Sequence, residues 1–241
     1  DSWIKRQLVD FWLTLRVMRQ RVDIHSAHGV LALSRAFADE LIRDYGVDAN
    51  RVRIVPNAVA IDDIELGRGG SSVAVVGRLA VRKGLEDVAA LAQRRPDLSF
   101  DVVGNHSLWS DYRGLVTGAH LTNVHLRGHQ ERREVYAMLG ASGVLLQLSR
   151  YEPFGLTVIE ALAAGTPVVV TPAVGAAEDL PSEVCHVVTP GDLEALARAV
   201  DHALSTAHDP HLRDACRHAA SNFRPERIAD ALESALRELL A

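Results

Sequence analysis

Apolar residues recur along this chain in two periods, and the two alternate. From residue 73 onward, short β-branched runs stand between longer stretches whose apolar positions repeat every three or four residues. The runs "VAVV" (73–76), "LSFDVV" (98–103), "NVHLR" (123–127), "GVLLQL" (143–148), "PVVVT" (167–171) and "VCHVV" (184–188) predict six strands. Helical patterns lie near 84–95, 108–117, 131–140, 154–164, 175–180, 191–205, 210–221 and 225–240. Near-continuous apolar strands joined by helices imply a parallel sheet covered on both faces. The expected fold class is therefore α/β, a Rossmann-like doubly wound parallel sheet that takes ligands at the carboxyl ends of its strands.

The segment before that sheet reads differently. Residues 3–22 predict a helix with Trp3, Leu8, Phe11, Trp12 and Leu15 on its apolar side. "GVLALS" (29–34) and "RVRIVPN" (51–57) predict two strands flanking a helix, with Ser34 as N-cap and Gly46 as stop. Two strands cannot make an independent core, so this stretch reads as the tail of a domain whose beginning is absent. The first residue is Asp1 rather than Met, as expected of a processed or excised piece. "GRGGSS" (67–72) has the composition of a flexible linker.

Composition narrows the function classes. With 241 residues, 48% hydrophobic and 24% charged, the chain is an ordinary globular protein. A formal net charge of -5 argues against a nucleic-acid partner. Cys185 and Cys216 have no metal-ligand spacing and suggest a reducing, cytoplasmic setting. No apolar run reaches membrane-spanning length.

The chemistry lies in two loops. The first predicted strand runs into "GRLAVRKG" (77–84), where Gly77 allows a tight turn and Arg78 and Lys83 supply two cations beside a helix start. Cations at a helix N-terminus make an anion site, although a solvated basic loop would read the same way. The second loop, in "YEPFGLTVIEALAAGTPVVV" (151–170), holds Glu152 and leads into a helix whose first turn offers the amides of Phe154, Gly155 and Leu156. Glu160 follows among Ile159, Ala161, Leu162 and Ala163, a helix with little polar face to explain a carboxylate. Phosphate at a helix mouth and an acid within reach of ribose hydroxyls divide the labour as dinucleotide sites do. Together these residues describe a nucleotide-diphosphate-sugar site.

"SRYEPFGLTVIEALAAGTPVV" resembles the Glu-x7-Glu segment of retaining GT-B glycosyltransferases of family 4, and "GRLAVRKG" resembles their Gly-Arg…Lys-Gly loop. "LALSRAFADEL", "VRIVPNAV" and "LRGHQERREVYAMLGASGVLLQLS" extend the resemblance across the chain. It implies two Rossmann-like domains with a cleft between them. Residues 1–66 would be the remnant of the acceptor domain and the interdomain segment, 67–224 the donor domain, and 225–241 a helix crossing back to the first domain. It further implies a retaining hexosyl transfer in which Arg78, Lys83 and Glu152 are the catalytic set. Arg78 and Lys83 would hold the departing diphosphate, and Glu152 a hydroxyl of the hexose. Glu160 would take the ribose. Gly77, Phe154, Gly155 and Leu156 would line the donor, and Arg127, Gly128 and His129 the nucleobase pocket. The co-substrate would be a UDP-, GDP- or ADP-linked sugar, with no cofactor and no metal, since no Asp-x-Asp motif occurs. Two departures stand out: "NAVA" (57–60) replaces the family's Asn-Gly-Val-Asp, and "GNHSL" (104–108) replaces a Gly-x-Gly.

Other readings compete. Eleven histidines include His125 and His129, but no carboxylate or cysteine completes a ligand set. The first helix carries Arg16, Arg19 and Arg21 beside its aromatics, so contact with the cytoplasmic face of a membrane stands as an open partner class. Self-association through residues 1–66, or a separate first-domain subunit there, is a further expected partner. A module that holds a nucleotide sugar without transferring it is the alternative function.

Overall fold

The computed structural model describes residues 2–105 and 121–240. The helix expected near 108–117 and the end of "GNHSL" lie outside the described residues. The chain opens with helix α1 (Ser2–Ser26), strand β1 (Val30–Ala32), helix α2 (Arg35–Tyr45) and strand β2 (Val52–Ile54). The main unit contains β3 (Val73–Val76), α3 (Leu85–Arg94), β4 (Phe100–Val103), β5 (Val124–Gly128), α4 (Arg132–Ala141), β6 (Val144–Gln147), α5 (Leu156–Ala163), β7 (Val168–Val170) and β8 (Cys185–Val187). Three helices close it: α6 (Leu193–Thr206), α7 (Pro210–Ala220) and α8 (Pro225–Leu240).

All six strands of the main sheet are parallel, in the order β5-β4-β3-β6-β7-β8. The chain therefore starts in the middle at β3, builds outward to β5, and returns to build the other half from β6. Successive side chains on a strand point to opposite faces, so each strand feeds two cores. Leu145 packs in the layer formed with α5 and α7, around Ile159, Leu162 and Cys216. Its neighbour Leu146 packs in the opposite layer, with Phe100, Leu91 and Val200. Cys185 and Cys216 are buried free thiols, and burial pushes each up to about 12.

At the N-terminal end, β1 and β2 form a two-stranded parallel pair. Ser34 Oγ accepts from Phe37 N at 3.2 Å and Gly46, at φ 69°, ends α2, both as expected from the sequence. α1 projects from this pair: Phe11, Trp12, Met18 and Val22 are all exposed. It is anchored at its last turn, where Ile24 joins a small apolar cluster and His25 Nε2 meets the Tyr45 carbonyl at 2.9 Å. Among the described residues, no helix is long and apolar enough to cross a membrane.

Two expectations are corrected. The 67–72 segment is no flexible linker. Gly67 N donates to Ala164 O and Gly69 N to Gly140 O, and Ile61 and Ile64 just before it are buried in the main core. Two arginines one turn apart on α7 hold this stretch in place. Arg213, buried, donates to the carbonyls of Gly67, Ala207 and Ala164 at 3.0–3.1 Å. Arg217 donates to those of Ile64 and Ala163 at 2.7 and 2.6 Å. The helix expected at 175–180 is a single 3-10 turn, Gly175–Ala177, because its backbone bonds sideways to residues 152 and 154 instead.

Candidate functional site

β3 and β6 are neighbours in the sheet, yet the chain leaves them toward opposite halves. Their carboxyl ends open a crevice at this switch point, where doubly wound sheets receive ligands. Both candidate loops empty into it.

After β3, Gly77 N donates to Val103 O and Leu79 N to Asn105 O, each at 3.0 Å, which holds the loop against the end of β4. A 3-10 turn, Val81–Lys83, then reverses the chain into α3. Gly84 begins that helix at φ 66°, and a Cβ there would lie 2.0 Å from the Leu148 carbonyl oxygen. Only glycine lets the two loops approach this closely. The approach brings the Lys83 ammonium into an ion pair with the Glu152 carboxylate, the two side chains only 15% and 16% exposed. Gln147, the buried last residue of β6, donates to the same Glu152 oxygen at 3.2 Å. Arg78 is exposed on the rim, with no side-chain partner among the described residues.

After β6, the backbone of Glu152 is fixed on both sides: its N–H donates to Ala173 O at 3.1 Å and its carbonyl accepts from Gly175 N at 3.0 Å. Phe154 is buried with its ring edge-on to Phe223, centroids 5.7 Å apart, so its side chain is structural and only its amide can face a ligand. Gly155 caps α5, which starts at Leu156, two residues later than the sequence pattern suggests. The first turn leaves the amides of Leu156 and Thr157 without a backbone acceptor among the described residues, at the positive end of the helix.

That later start places Glu160 about one turn into α5. It is not a solvated surface residue. It is partly buried against α4, where the Tyr136 hydroxyl donates to its Oε1 at 3.4 Å. Burial raises its pKa, against the opposing pull of Arg132 and the Tyr136 hydrogen bond. Arg127 and Gly128 end β5, and His129 follows on the same rim of the sheet. The Arg127 guanidinium is already engaged by Asp101 at 2.7 Å, and the Gly128 carbonyl accepts from Gly104 N at 2.8 Å.

Gln147 and Tyr136 were not legible as site residues from the sequence. Gln147 had a signal, the lone amide in the otherwise apolar run "GVLLQL". Tyr136 had none, since an aromatic on an amphipathic helix reads as core.

The family model described as glycosyl transferases group 1 matches residues 63–223, and the glycosyltransferase family 4 model matches residues 2–63. The chain is 30% identical over 207 residues to 2-deoxystreptamine glucosyltransferase of Streptomyces kanamyceticus, an alignment covering 77% of this chain and 53% of that protein. It is 27% identical over 207 residues to mannosylfructose-phosphate synthase of Agrobacterium fabrum, covering 70% and 46%. The chain thus spans about half the length of these curated relatives. Among solved structures, sucrose-phosphate synthase from Thermosynechococcus elongatus superposes with a TM-score of 0.78 at 26% identity, covering 94% of this chain and 62% of that one. Anabaena HepE, solved with UDP, superposes with a TM-score of 0.77 at 21% identity, covering 88% and 64%. The six-stranded sheet and its helices are the Rossmann-like domain of the GT-B fold. The chain belongs to the group 1 glycosyltransferases.

Proposed function

We propose that this chain carries the donor-binding portion of a retaining glycosyltransferase that moves a hexose from a nucleotide-diphosphate sugar. The reading rests on one observation: Lys83, Glu152 and Gln147 meet at the crevice between β3 and β6, beside the open N-terminus of α5. A diphosphate there gains the Lys83 ammonium, the exposed Arg78 guanidinium and the first-turn amides, a set of donors for the charge that develops as it departs. Glu160 accepts from the ribose hydroxyls, Glu152 from a hexose hydroxyl, and the 127–129 rim borders the base. Structures of Anabaena HepE with UDP and with UDP-glucose support a nucleotide sugar as the ligand class.

In the transfer step the acceptor oxygen bonds the anomeric carbon on the face from which the diphosphate leaves. The carbon–oxygen bond to the phosphate breaks, and a phosphate oxygen receives the acceptor's proton. Neither glutamate forms a covalent bond; catalysis is positioning and charge stabilisation. The two side-chain cations carry the charge neutralisation in this scheme, so chelating agents leave the rate unchanged.

Calorimetric titration with UDP, GDP and ADP, and with their glucose conjugates, tests the reading; binding of none of them overturns it. The second reading, a nucleotide-sugar binding unit without transfer, is favoured by the fact that the assembled contacts all suit a donor. A transfer assay with a panel of acceptors separates the two, and the anomeric configuration of any product, read by NMR, decides retention.

A further inference from the structure

Glu178 belongs to neither donor loop, yet its carboxylate sits on the N-terminus of α2. It accepts from the backbone amides of Arg35 at 2.7 Å and Ala36 at 2.8 Å, the first two residues of that helix. An anion there is favoured by the helix dipole and by amides that have no helical partner. The Arg35 side chain in turn pairs with Asp179. The contact therefore joins the N-terminal unit to the donor unit through charge on both sides.

The segment that carries Glu178 is also the one that fixes Glu152. Glu178 N bonds Gly175 O, Gly175 N bonds the Glu152 carbonyl, Glu152 N bonds Ala173 O, and Ala176 N bonds Phe154 O. Gly175 is wedged where a Cβ would lie 2.3 Å from the Pro153 carbonyl oxygen and 2.5 Å from the Ser34 side chain. Three segments thus meet at van der Waals contact with no slack. A second tie runs beside the first: the Tyr151 hydroxyl reaches Glu40 of α2 at 3.2 Å, while Arg82 holds the Tyr151 carbonyl at 3.0 Å. Glu152 lies between the two ties and is itself the partner of Lys83 from the other loop.

We propose that Glu178 is a positioning residue that fixes the Glu152 carboxylate through residues 173–178, so that seating of α2 and recognition of the donor sugar are one coupled event. This rests on the assignment of Glu152 to a hexose hydroxyl. A plain helix cap would add stability and affect every ligand alike. A positioning role affects the ligand that carries a sugar and spares the one that does not.

The full chain, Glu178→Gln, Tyr151→Phe and Glu152→Ala are compared by calorimetry with UDP, GDP and ADP and with the matching glucose conjugates. Backbone hydrogen exchange is followed on the same proteins without ligand. Glu178→Gln is expected to weaken the glucose conjugate by about fivefold or more and to leave the free diphosphate unchanged. Exchange at Glu152, Phe154 and residues 173–176 accelerates in the same variant, and Tyr151→Phe shows a smaller effect of the same kind. Equal losses for both ligands, or unaltered exchange around Glu152, overturn the proposal. An unsplit Glu152→Ala overturns the sugar assignment itself; a split Glu152→Ala beside an unsplit Glu178→Gln overturns only the coupling.

Discussion

Lys83 and Glu152 are paired with each other, which decides what each substitution does. The ammonium is held at the crevice by Glu152, so a diphosphate meets a charge already in position. Losing one charge-assisted contact costs ~1.5–3 kcal/mol, so Lys83→Ala is expected to weaken nucleoside diphosphate binding about tenfold or more. An unchanged Kd in calorimetry would remove Lys83 from the phosphate site.

Glu160 makes a prediction with a pH sign. Its folded-state pKa is raised by burial, above the unfolded value. Its protonated form therefore contributes stability that is complete below the unfolded pKa and lost as pH rises through the folded one. Glu160→Gln is expected to raise the Tm at neutral pH, with the gain vanishing at acid pH. The same change reduces discrimination between a ribose and a 2′-deoxyribose diphosphate, because a neutral amide accepts more weakly. Wild-type donor binding weakens as pH falls through the raised pKa. A Tm gain without any loss of discrimination would make Glu160 a merely buried carboxylate.

At the scale of elements, α7 does more than cover the sheet. Arg213 ties together three carbonyls, those of Ala164 at the end of α5, Ala207 after α6 and Gly67 in the segment leading to β3. Burial lowers its pKa, the expected cost of placing a cation there. Arg213→Ala is expected to destabilise the chain by about 3 kcal/mol or more in chemical denaturation. Arg213→Lys recovers little of this, since a single ammonium cannot reproduce the guanidinium fork. Full recovery by lysine would show that charge alone suffices.

For the whole molecule, α1 leaves an apolar surface uncovered, with Trp12 69% and Met18 61% exposed. Exposed patches of this kind recruit partners. The chain is expected to self-associate through α1, and a double Trp12→Glu, Met18→Glu variant to be monomeric in light scattering. Truncating at residue 71 would be a poor test, because Ile61 and Ile64 belong to the main core. We expect the isolated chain to bind a donor while transferring sugar poorly, and added first-domain protein to raise transfer. Robust transfer by a monomeric wild-type chain would contradict both expectations.

Periodicity alone placed the strands, because each is a short apolar-rich run bounded by turn residues, with β3 and β7 apolar on both faces. β3 matches its predicted 73–76 range, and α2 has the cap and stop read from Ser34 and Gly46. Loop chemistry placed Arg78, Lys83, Glu152 and Glu160 as candidates, since a charged residue in an apolar setting has to be explained locally. What the sequence could not carry were contacts between residues far apart in it. The Lys83–Glu152 pair, Tyr136 on Glu160, Glu178 on α2 and the Arg213 clasp each join segments tens of residues or more apart. "GRGGSS" has a linker's composition, but its backbone groups were claimed by neighbours that composition cannot reveal. Local pattern fixes which elements form. The crevice between β3 and β6, and what faces it, follow from the order in which the strands pair.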